Sequence, residues 1–194
     1  MDTWTALPDV PIPESGGLGF QLRTRGCATL REAARYLHTL PYGRNADRAD
    51  FLLVLSEGRG TCSTKHALLA ALAEQVGAPV RLTLGIYEMC EANTPGVGAV
   101  LHRHQLAAIP EAHTYLRFAG HRVDITRSGV APRQDIERFL IEQDIRPEQI
   151  GDYKISFHRT FLAEWLSEHP ELARFTPEAL WHIREACIAA ISEA

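Results

Sequence analysis

Apolar residues recur with a helical period in the first third of the chain. Thr29 and Glu32 have the spacing of a capping box, in which each side chain accepts a hydrogen bond from the other residue's backbone N–H. The residues that follow on one helical face are apolar: Leu30, Ala33, Ala34 and Leu37. Pro41 cannot continue a helix, and the apolar stretch FLLVLSEGRG beyond a polar turn is predicted as a second, short helix.

The stretch GRGTCSTKHALLAALAEQVGAPVRLTLGIY contains the start, body and end signals of one helix. Thr61 or Ser63 can cap its N-terminus, and the leucines and alanines that follow supply an apolar face. Gly77 stands where a left-handed residue ends a helix, and Pro79 prevents continuation. Residues 80–87 then alternate sufficiently between apolar and polar positions to predict a strand.

The second half of the chain predicts a hairpin followed by helices. Residues 88–110 lack periodicity, and a connection of that length inside a compact domain is usually functional or mobile. Strands are predicted over Ala112–Phe118 and Arg122–Thr126, on either side of Ala119-Gly120. Three helices are predicted beyond Gly129, near Pro132–Gln143, Ser156–Glu168 and Pro177–Ser192, the last with Thr176 as its cap.

Together these elements predict an α+β protein with a single domain over residues 1–194. We expect an irregular N-terminal arm at 1–26 with a short strand near Gly19–Arg23, a core at 27–130 and a helical C-terminal extension at 131–194. A chain of 194 residues with 45% hydrophobic and 23% charged residues has the composition of an ordinary globular domain and can bury a sizeable core.

Charge and hydropathy argue against several classes of protein. The formal net charge is -4 and the arginines are scattered, so no basic stripe is available to bind nucleic acid. No apolar run approaches the roughly 20 residues that span a bilayer, and the N-terminus lacks the pattern of a signal peptide. The four cysteines lie far apart without a CxxC pair, which favours reduced thiols. We therefore expect a cytoplasmic protein that does not bind membranes.

Cys62 is the first candidate for chemistry, because it lies at the predicted first turn of a helix. Unpaired backbone N–H groups and the positive end of the helix dipole favour a thiolate there. The same N–H groups can stabilise an oxyanion when sulfur attacks a carbonyl. An arbitrary cysteine is more often a small buried hydrophobic residue. The glycines at 58 and 60 and the helix-start position shift the interpretation toward function.

The predicted hairpin brings a histidine and an aspartate onto one face. With a two-residue turn, Leu116 faces Val123 on a mostly apolar face, while His113 and Asp124 share the other face as diagonal neighbours. A loop with an odd number of residues would separate the pair and disrupt the apolar pattern. A histidine oriented by a carboxylate is the base that a nucleophilic thiol requires. The alternative is a surface His–Asp contact that contributes little.

The segments GRGTCSTKHALLAALAEQVGAPVRLTLG, AHTYLRF and HRVDIT resemble, in that order, the core of the transglutaminase-like superfamily. The resemblance covers about residues 58–126. It implies a papain-like cysteine protease fold, in which a cysteine begins a central helix packed on an antiparallel sheet that carries histidine and aspartate. By motif, Cys62 corresponds to the nucleophile, His113 to the general base and acid, and Asp124 to its orienting partner. The chain departs from many relatives at residues 63–66, where they carry an acidic or aromatic residue, and this bears on the substrate.

This resemblance implies acyl transfer from an amide through a thioester, with a peptide, a protein or a small amide as substrate. It leaves hydrolysis and transamidation open, and it implies no cofactor or metal, since calcium-dependent members have further domains. A catalytically inactive binding module of the same fold is one alternative. A zinc site is another alternative, with Cys62 and His66 four apart on a helix and His102 and His104 on one face of a strand, although no closely spaced ligand pair completes a known pattern.

Six further residues are candidates by type or position. His66, Tyr115, Glu91 and Asn93 are candidate substrate contacts, the last two within a segment at 88–110 that is a candidate wall or lid of the site. Gln21 and Tyr42 are candidates for the second oxyanion donor, chosen by residue type. Oligomeric state does not follow from the sequence.

Overall fold

The computed structural model describes residues 3–127, 136 and 138–192. The α-helices among these residues are α1 (Gly17–Arg23), α2 (Leu30–Thr39), α3 (Leu53–Glu57), α4 (Cys62–Gln75), α5 (Gly98–Arg103), α6 (Asp152–Ser167) and α7 (Pro177–Ser192). The strands are β1 (Arg81–Met89), β2 (Ile109–Phe118), β3 (His121–Val123) and β4 (Ile141–Ile145). Short 3-10 helices lie at Thr3–Ala6, Pro147–Ile150 and Pro170–Leu172.

The strands form one four-stranded sheet in the order β3-β2-β1-β4. The central strands β1 and β2 are buried along most of their length, on both faces, which is why their sequences are more continuously apolar than an alternating pattern. Helices combined with a sheet that contains an antiparallel hairpin confirm the predicted α+β class.

The hairpin has the predicted register. Leu116 pairs with Val123, and Phe118 pairs with His121, so the turn consists of two residues, Ala119 and Gly120. Their φ angles are +47° and +81°, and positive φ at both central residues is the mark of a type I′ turn. The paired ladder ends at Val123, three residues before the predicted end of this strand.

Several predicted helix signals are confirmed. Thr29 Oγ1 accepts from the Glu32 backbone N–H at 3.2 Å, as predicted. The Glu32 carboxylate accepts from the Ala28 N–H at 2.6 Å, whereas in a complete capping box it would accept from the Thr29 N–H. Gly77 is left-handed with φ +68°. The last helix begins and ends as predicted, and Thr176 Oγ1 caps it by accepting from the Ala179 N–H at 3.1 Å.

Two predicted elements are wrong. The strand expected near Gly19–Arg23 is instead α1, and the arm expected to be irregular at 1–26 also contains a 3-10 helix. The last residues of the helix expected at Pro132–Gln143 belong instead to the strand β4. The C-terminal extension at 131–194 is therefore not wholly helical. Residues 132–135 and 137 of that predicted helix lie outside the described residues.

Tertiary pairing explains the strand β4. The Leu140 N–H donates to the Ile86 carbonyl at 2.7 Å, and Thr83 Oγ1 donates to Asp144 Oδ1 at 2.9 Å. Because Gly85 has no side chain, the Phe139 ring occupies the space where a Cβ atom would lie. The apolar residues of β4 have a helical spacing. The segment nevertheless forms an edge strand, because it gains hydrogen bonds from β1.

The chain divides into two compact units. The first comprises Met1–Leu84, Thr114–Gly129 and Gln143–Gly151, and the second comprises Gly85–His113, Val130–Glu142 and Asp152–Ala194. Helix α4 and the hairpin turn belong to the first unit, and α5, α6 and α7 belong to the second.

Candidate active site

Helix α4 begins at Cys62 because the preceding residues supply a complete N-terminal cap. Thr61 Oγ1 accepts from the Thr64 N–H at 3.5 Å, and Thr64 Oγ1 accepts from the Thr61 N–H at 3.0 Å. A Cβ atom at Gly60 would lie 2.9 Å from Thr64 Oγ1 and 3.0 Å from Lys65 Cγ, so only glycine fits there. Of the two predicted caps, Thr61 therefore fills the position.

The Cys62 side chain lies in the first turn of α4 and is 8% exposed. Its Sγ is 3.9 Å from Ser63 Oγ, which is in turn 3.4 Å from Thr114 Oγ1 on β2. The N–H groups of a first helical turn have no acceptor four residues earlier in the helix, and the helix dipole is positive there. Both effects favour the thiolate form of a cysteine at this position.

The other thiols have surroundings that differ from those of Cys62. Burial raises the pKa of Cys27, and burial raises the pKa of Cys187 to about 11. Cys90 is half-buried, and none of the four cysteines, all of which lie in the described part of the chain, forms a disulfide. Cys27 and Cys187 therefore remain protonated, and weakly nucleophilic, at neutral pH.

His66 is buried within the first unit and has hydrogen-bond partners on both ring nitrogens. Its Nε2 accepts from the Ile125 N–H at 2.8 Å, so the proton is on Nδ1, which donates to the Cys62 carbonyl at 2.7 Å. The ring is therefore neutral, and the 3.7 Å approach of Nε2 to Asp124 Oδ1 is not an ion pair. These contacts fix the His66 side chain inside the protein, and its role as a substrate contact stays a prediction.

Asp124 directly follows β3, and hydrogen bonds fix both its side chain and its backbone. Oδ1 accepts from the Thr126 N–H at 2.9 Å and from Thr126 Oγ1 at 2.5 Å. Thr3 Oγ1 accepts from the Asp124 N–H at 2.9 Å and donates to the Asp124 carbonyl at 2.8 Å. The N-terminal segment thus holds the backbone of Asp124, a role that the expectation of an irregular arm did not include.

Lys65 is fully buried, one helical turn beyond Cys62. Its Nζ donates to the Leu40 carbonyl at 2.5 Å and to the Thr126 carbonyl at 3.0 Å. Burial lowers the pKa of Lys65 to about 8, while the negative charges of Asp124 and Cys62 act in the opposite direction. Sequence reasoning overlooked this residue. The available signal was a lysine among the small and apolar residues of a central helix.

His113 lies on β2 in the second unit and is 7% exposed. The edge of its ring meets Tyr87, with the ring centroids 6.1 Å apart and the planes at 78°. Tyr87 in turn shares a 2.8 Å hydrogen bond with Thr94 Oγ1. The ring packing and this hydrogen bond order the side chains around His113 inside its own unit.

Tyr115 is fully buried on β2, and arginines cover its ring. The guanidinium carbons of Arg117 and Arg122 lie 5.9 Å and 5.1 Å from the ring centroid. These contacts place the three side chains on one face of the hairpin, as the register predicted. The role of Tyr115 as a substrate contact stays a prediction.

Glu91 and Asn93 organise the turn between β1 and α5. The Glu91 carboxylate accepts from the Gly96 N–H at 3.1 Å and from the Gly98 N–H at 2.5 Å, where α5 begins. Asn93 Nδ2 donates to the Glu88 carbonyl at 2.8 Å, and Asn93 Oδ1 accepts from the Cys90 N–H at 3.0 Å. Their role as substrate contacts, and that of residues 88–110 as a wall or lid, remains a prediction.

The two candidate oxyanion donors lie in different environments within the first unit. Gln21 is an exposed residue of α1. Tyr42 is half-buried and forms an isolated parallel bridge with Gly60, which precedes the start of α4. The Arg127 guanidinium lies 4.6 Å from the Tyr42 ring centroid. Tyr42 is thus the donor better placed near α4, and both assignments remain predictions.

Within the described ranges, no group of three or more His, Cys, Asp or Glu side chains could hold a metal ion. His102 lies in α5, and His104 directly follows that helix. No helix in the described part of the chain is both long and apolar enough to cross a bilayer.

A comparison with protein families matches residues 23–119 to the transglutaminase-like superfamily. The matched region includes Cys62 and His113 and ends before Asp124. Searches of curated proteins and of solved structures gave no match. Domains of this superfamily usually have a cysteine acyl-transferase or protease fold. Since the match covers half of the chain, the protein belongs to the transglutaminase-like superfamily.

Proposed function

We propose that the protein is a cysteine-dependent acyl-transfer enzyme with Cys62 as nucleophile, His113 as general base and acid, and Asp124 as its orienting carboxylate. The observation that carries this proposal is the position of Cys62 at the capped start of α4. A thiol there is next to backbone donors that favour its ionised form. Membership of a superfamily of cysteine enzymes agrees with this chemistry.

The family match supports the assignment of His113, because the matched region, residues 23–119, contains both Cys62 and His113. In the hairpin, the register Leu116–Val123 makes Asp124 the next residue after the paired ladder. The hydrogen bonds from Thr126 to Oδ1 fix the orientation of the Asp124 carboxylate.

The first half-reaction forms a thioester. His113 takes the Cys62 thiol proton, and Sγ attacks the carbonyl carbon of an amide to give a tetrahedral oxyanion. N–H groups of the first turn of α4 stabilise that oxyanion. The C–N bond then breaks, the leaving nitrogen takes the proton from His113, and an amine departs.

The second half-reaction restores the thiol. Water or an amine gives a proton to His113 and attacks the thioester carbon. When the C–S bond breaks, the sulfur recovers that proton and a carboxylic acid or a new amide is released. The choice between hydrolysis and transamidation depends on which of the two nucleophiles reaches the thioester.

Activity-based profiling with a panel of acyl electrophiles tests the proposal. We expect one covalent adduct, located at Cys62 by peptide mass spectrometry, and its loss in Cys62→Ala. Cys90→Ala is the matched control, since it removes a half-buried thiol in the second unit and should leave labelling unchanged. No adduct at Cys62 with any electrophile, in folded protein that still binds amides, would instead identify a non-catalytic binding module.

A further inference from the structure

A buried lysine is the feature of the first unit that the proposed triad leaves unexplained. Lys65 is fully buried in α4, where residues 62–70 are all buried as well. An ionised ammonium inside a protein is unfavourable unless partners or opposite charges compensate it. Its presence therefore calls for a reason beyond packing.

The hydrogen bonds of Lys65 explain only part of its presence. The Leu40 and Thr126 carbonyls accept from Nζ. A neutral amide or amine could donate to both carbonyls without a buried charge. The positive charge must therefore be explained by the anionic groups around it.

The charged groups around Lys65 belong to its own helix and to the segment after β3. Burial is the main effect that lowers the pKa of Lys65, and Arg127 lowers it further. Asp124 and Cys62 both raise it, because each is negatively charged when ionised. Residues three apart on a helix are neighbours on its surface, which agrees with this coupling between Cys62 and Lys65.

We propose that Lys65 is a positioning residue whose buried ammonium stabilises the Cys62 thiolate and fixes the backbone beside Asp124. This inference rests on the proposed function. An electrostatic coupling is reciprocal. Since the Cys62 thiolate favours the protonated form of Lys65, the charge of that ammonium equally stabilises the thiolate. The charge of Lys65 adds to the effect of the helix dipole on the same sulfur.

The hydrogen bond to Thr126 gives Lys65 its second role. The Thr126 N–H and hydroxyl bond the Asp124 carboxylate, while the Thr126 carbonyl accepts from Lys65. Residue 66, next in α4, holds the Ile125 N–H in the same segment. Consecutive residues of α4 therefore hold consecutive residues of the segment that carries Asp124.

The first test is the pH profile of Cys62 alkylation by iodoacetamide, followed by peptide mass spectrometry. In Lys65→Met and Lys65→Gln, the midpoint of the profile should rise by about one pH unit or more. Lys65→Gln retains hydrogen-bond donors but lacks the charge, which separates the two roles. Lys154→Met is the matched control, because it removes the other lysine of the chain, which is buried in the second unit. Folded Lys65 variants with an unchanged midpoint would overturn the proposal.

A second test needs no substitution of Lys65. Nitrogen-15 labelling of lysine gives signals from two side chains only, so the pKa of Lys65 can be followed by NMR with Lys154 as internal reference. In Cys62→Ala, the pKa of Lys65 should fall by about as much as the Cys62 midpoint rises in Lys65→Met, since a negative neighbour is lost and the coupling is reciprocal. An unchanged value would refute the coupling. Failure of the proposed function itself would show separately, as the absence of an acyl adduct at Cys62 in the wild type.

Discussion

Lys65 in the first unit and Glu111 in the second are both buried, and their charges are compensated in different ways. Lys65 donates to carbonyl groups in the first unit. Glu111, in the second unit, accepts two hydrogen bonds of 2.6 Å from Arg184. Burial alone would raise the pKa of Glu111, yet the Arg184 guanidinium holds it below its ordinary value. Glu111 is therefore ionised and paired, a structural ion pair on β2 two residues before His113.

Removing one partner of this pair should destabilise the fold strongly. We expect Arg184→Met to lower the free energy of unfolding by about 3–5 kcal/mol, because Glu111 would then be buried without its partner. Arg159→Met is the matched control. Arg159 also packs over Trp181 but forms an exposed, solvent-screened ion pair with Glu178, so its loss should cost much less stability. Urea denaturation measures both variants, and equal losses would contradict a special role for the buried pair.

At the residue scale, the sequence could identify Cys62, His113 and Asp124 as candidate catalytic residues. The residue types, the start of a helix and the even number of residues in the hairpin turn each limit the choices. The sequence could not show that His66 and Tyr115 are buried with partners inside the protein. Which groups surround a polar side chain depends on segments distant in sequence. Thr3 next to Asp124 is an example, since 121 positions separate the two residues.

At the scale of elements, local signals predicted those structures whose cause is local. The start of α7 follows from Thr176 and Pro177, and the turn at residues 119 and 120 follows from the alternation on either side. The strand β4 was missed because its hydrogen bonds come from β1, about 60 residues earlier. The helix α1 was missed because glycines dominate its first turn, and glycine disfavours helices.

The hairpin turn contains a residue of unfavourable conformation. Ala119 has φ +47°, where a side chain with a Cβ atom costs about 1 kcal/mol, whereas glycine adopts this conformation freely. We expect Ala119→Gly to raise the free energy of unfolding by about 1 kcal/mol in urea denaturation. Ala189→Gly, at an exposed position in α7, is the control and should lower it by a similar amount. A loss of stability in Ala119→Gly would contradict the type I′ assignment.

At the scale of the whole molecule, the buried histidine of α6 links stability to acid pH. Burial lowers the pKa of His158, on α6, to about 4, and its Nε2 donates to the Pro110 carbonyl at 2.9 Å. In the unfolded chain a histidine has a pKa near 6.5. Between these values the unfolded state binds more protons than the folded state, so stability must fall as the pH falls.

This linkage predicts the direction and size of an acid effect. The contribution is fully present above about pH 6.5, and about 3 kcal/mol of it is lost by pH 4. Urea denaturation at several pH values should therefore show a shallower acid dependence in His158→Gln than in the wild type. His182→Gln, an exposed position on α7, is the control and should retain the wild-type slope. Parallel curves for wild type and His158→Gln would contradict a buried, neutral His158.

Family membership and the capped start of α4 support the proposal that Cys62 is a nucleophile. The substrate depends on which molecules can reach Cys62. The central claim is that Cys62 is an activated thiol that depends on His113. At pH 7, iodoacetamide should label Cys62 at least about tenfold faster than the same thiol in the denatured chain, and faster than Cys27, Cys90 and Cys187. His113→Ala should remove this advantage. Labelling of Cys62 no faster than the denatured thiol, with identical behaviour in His113→Ala, would contradict the account.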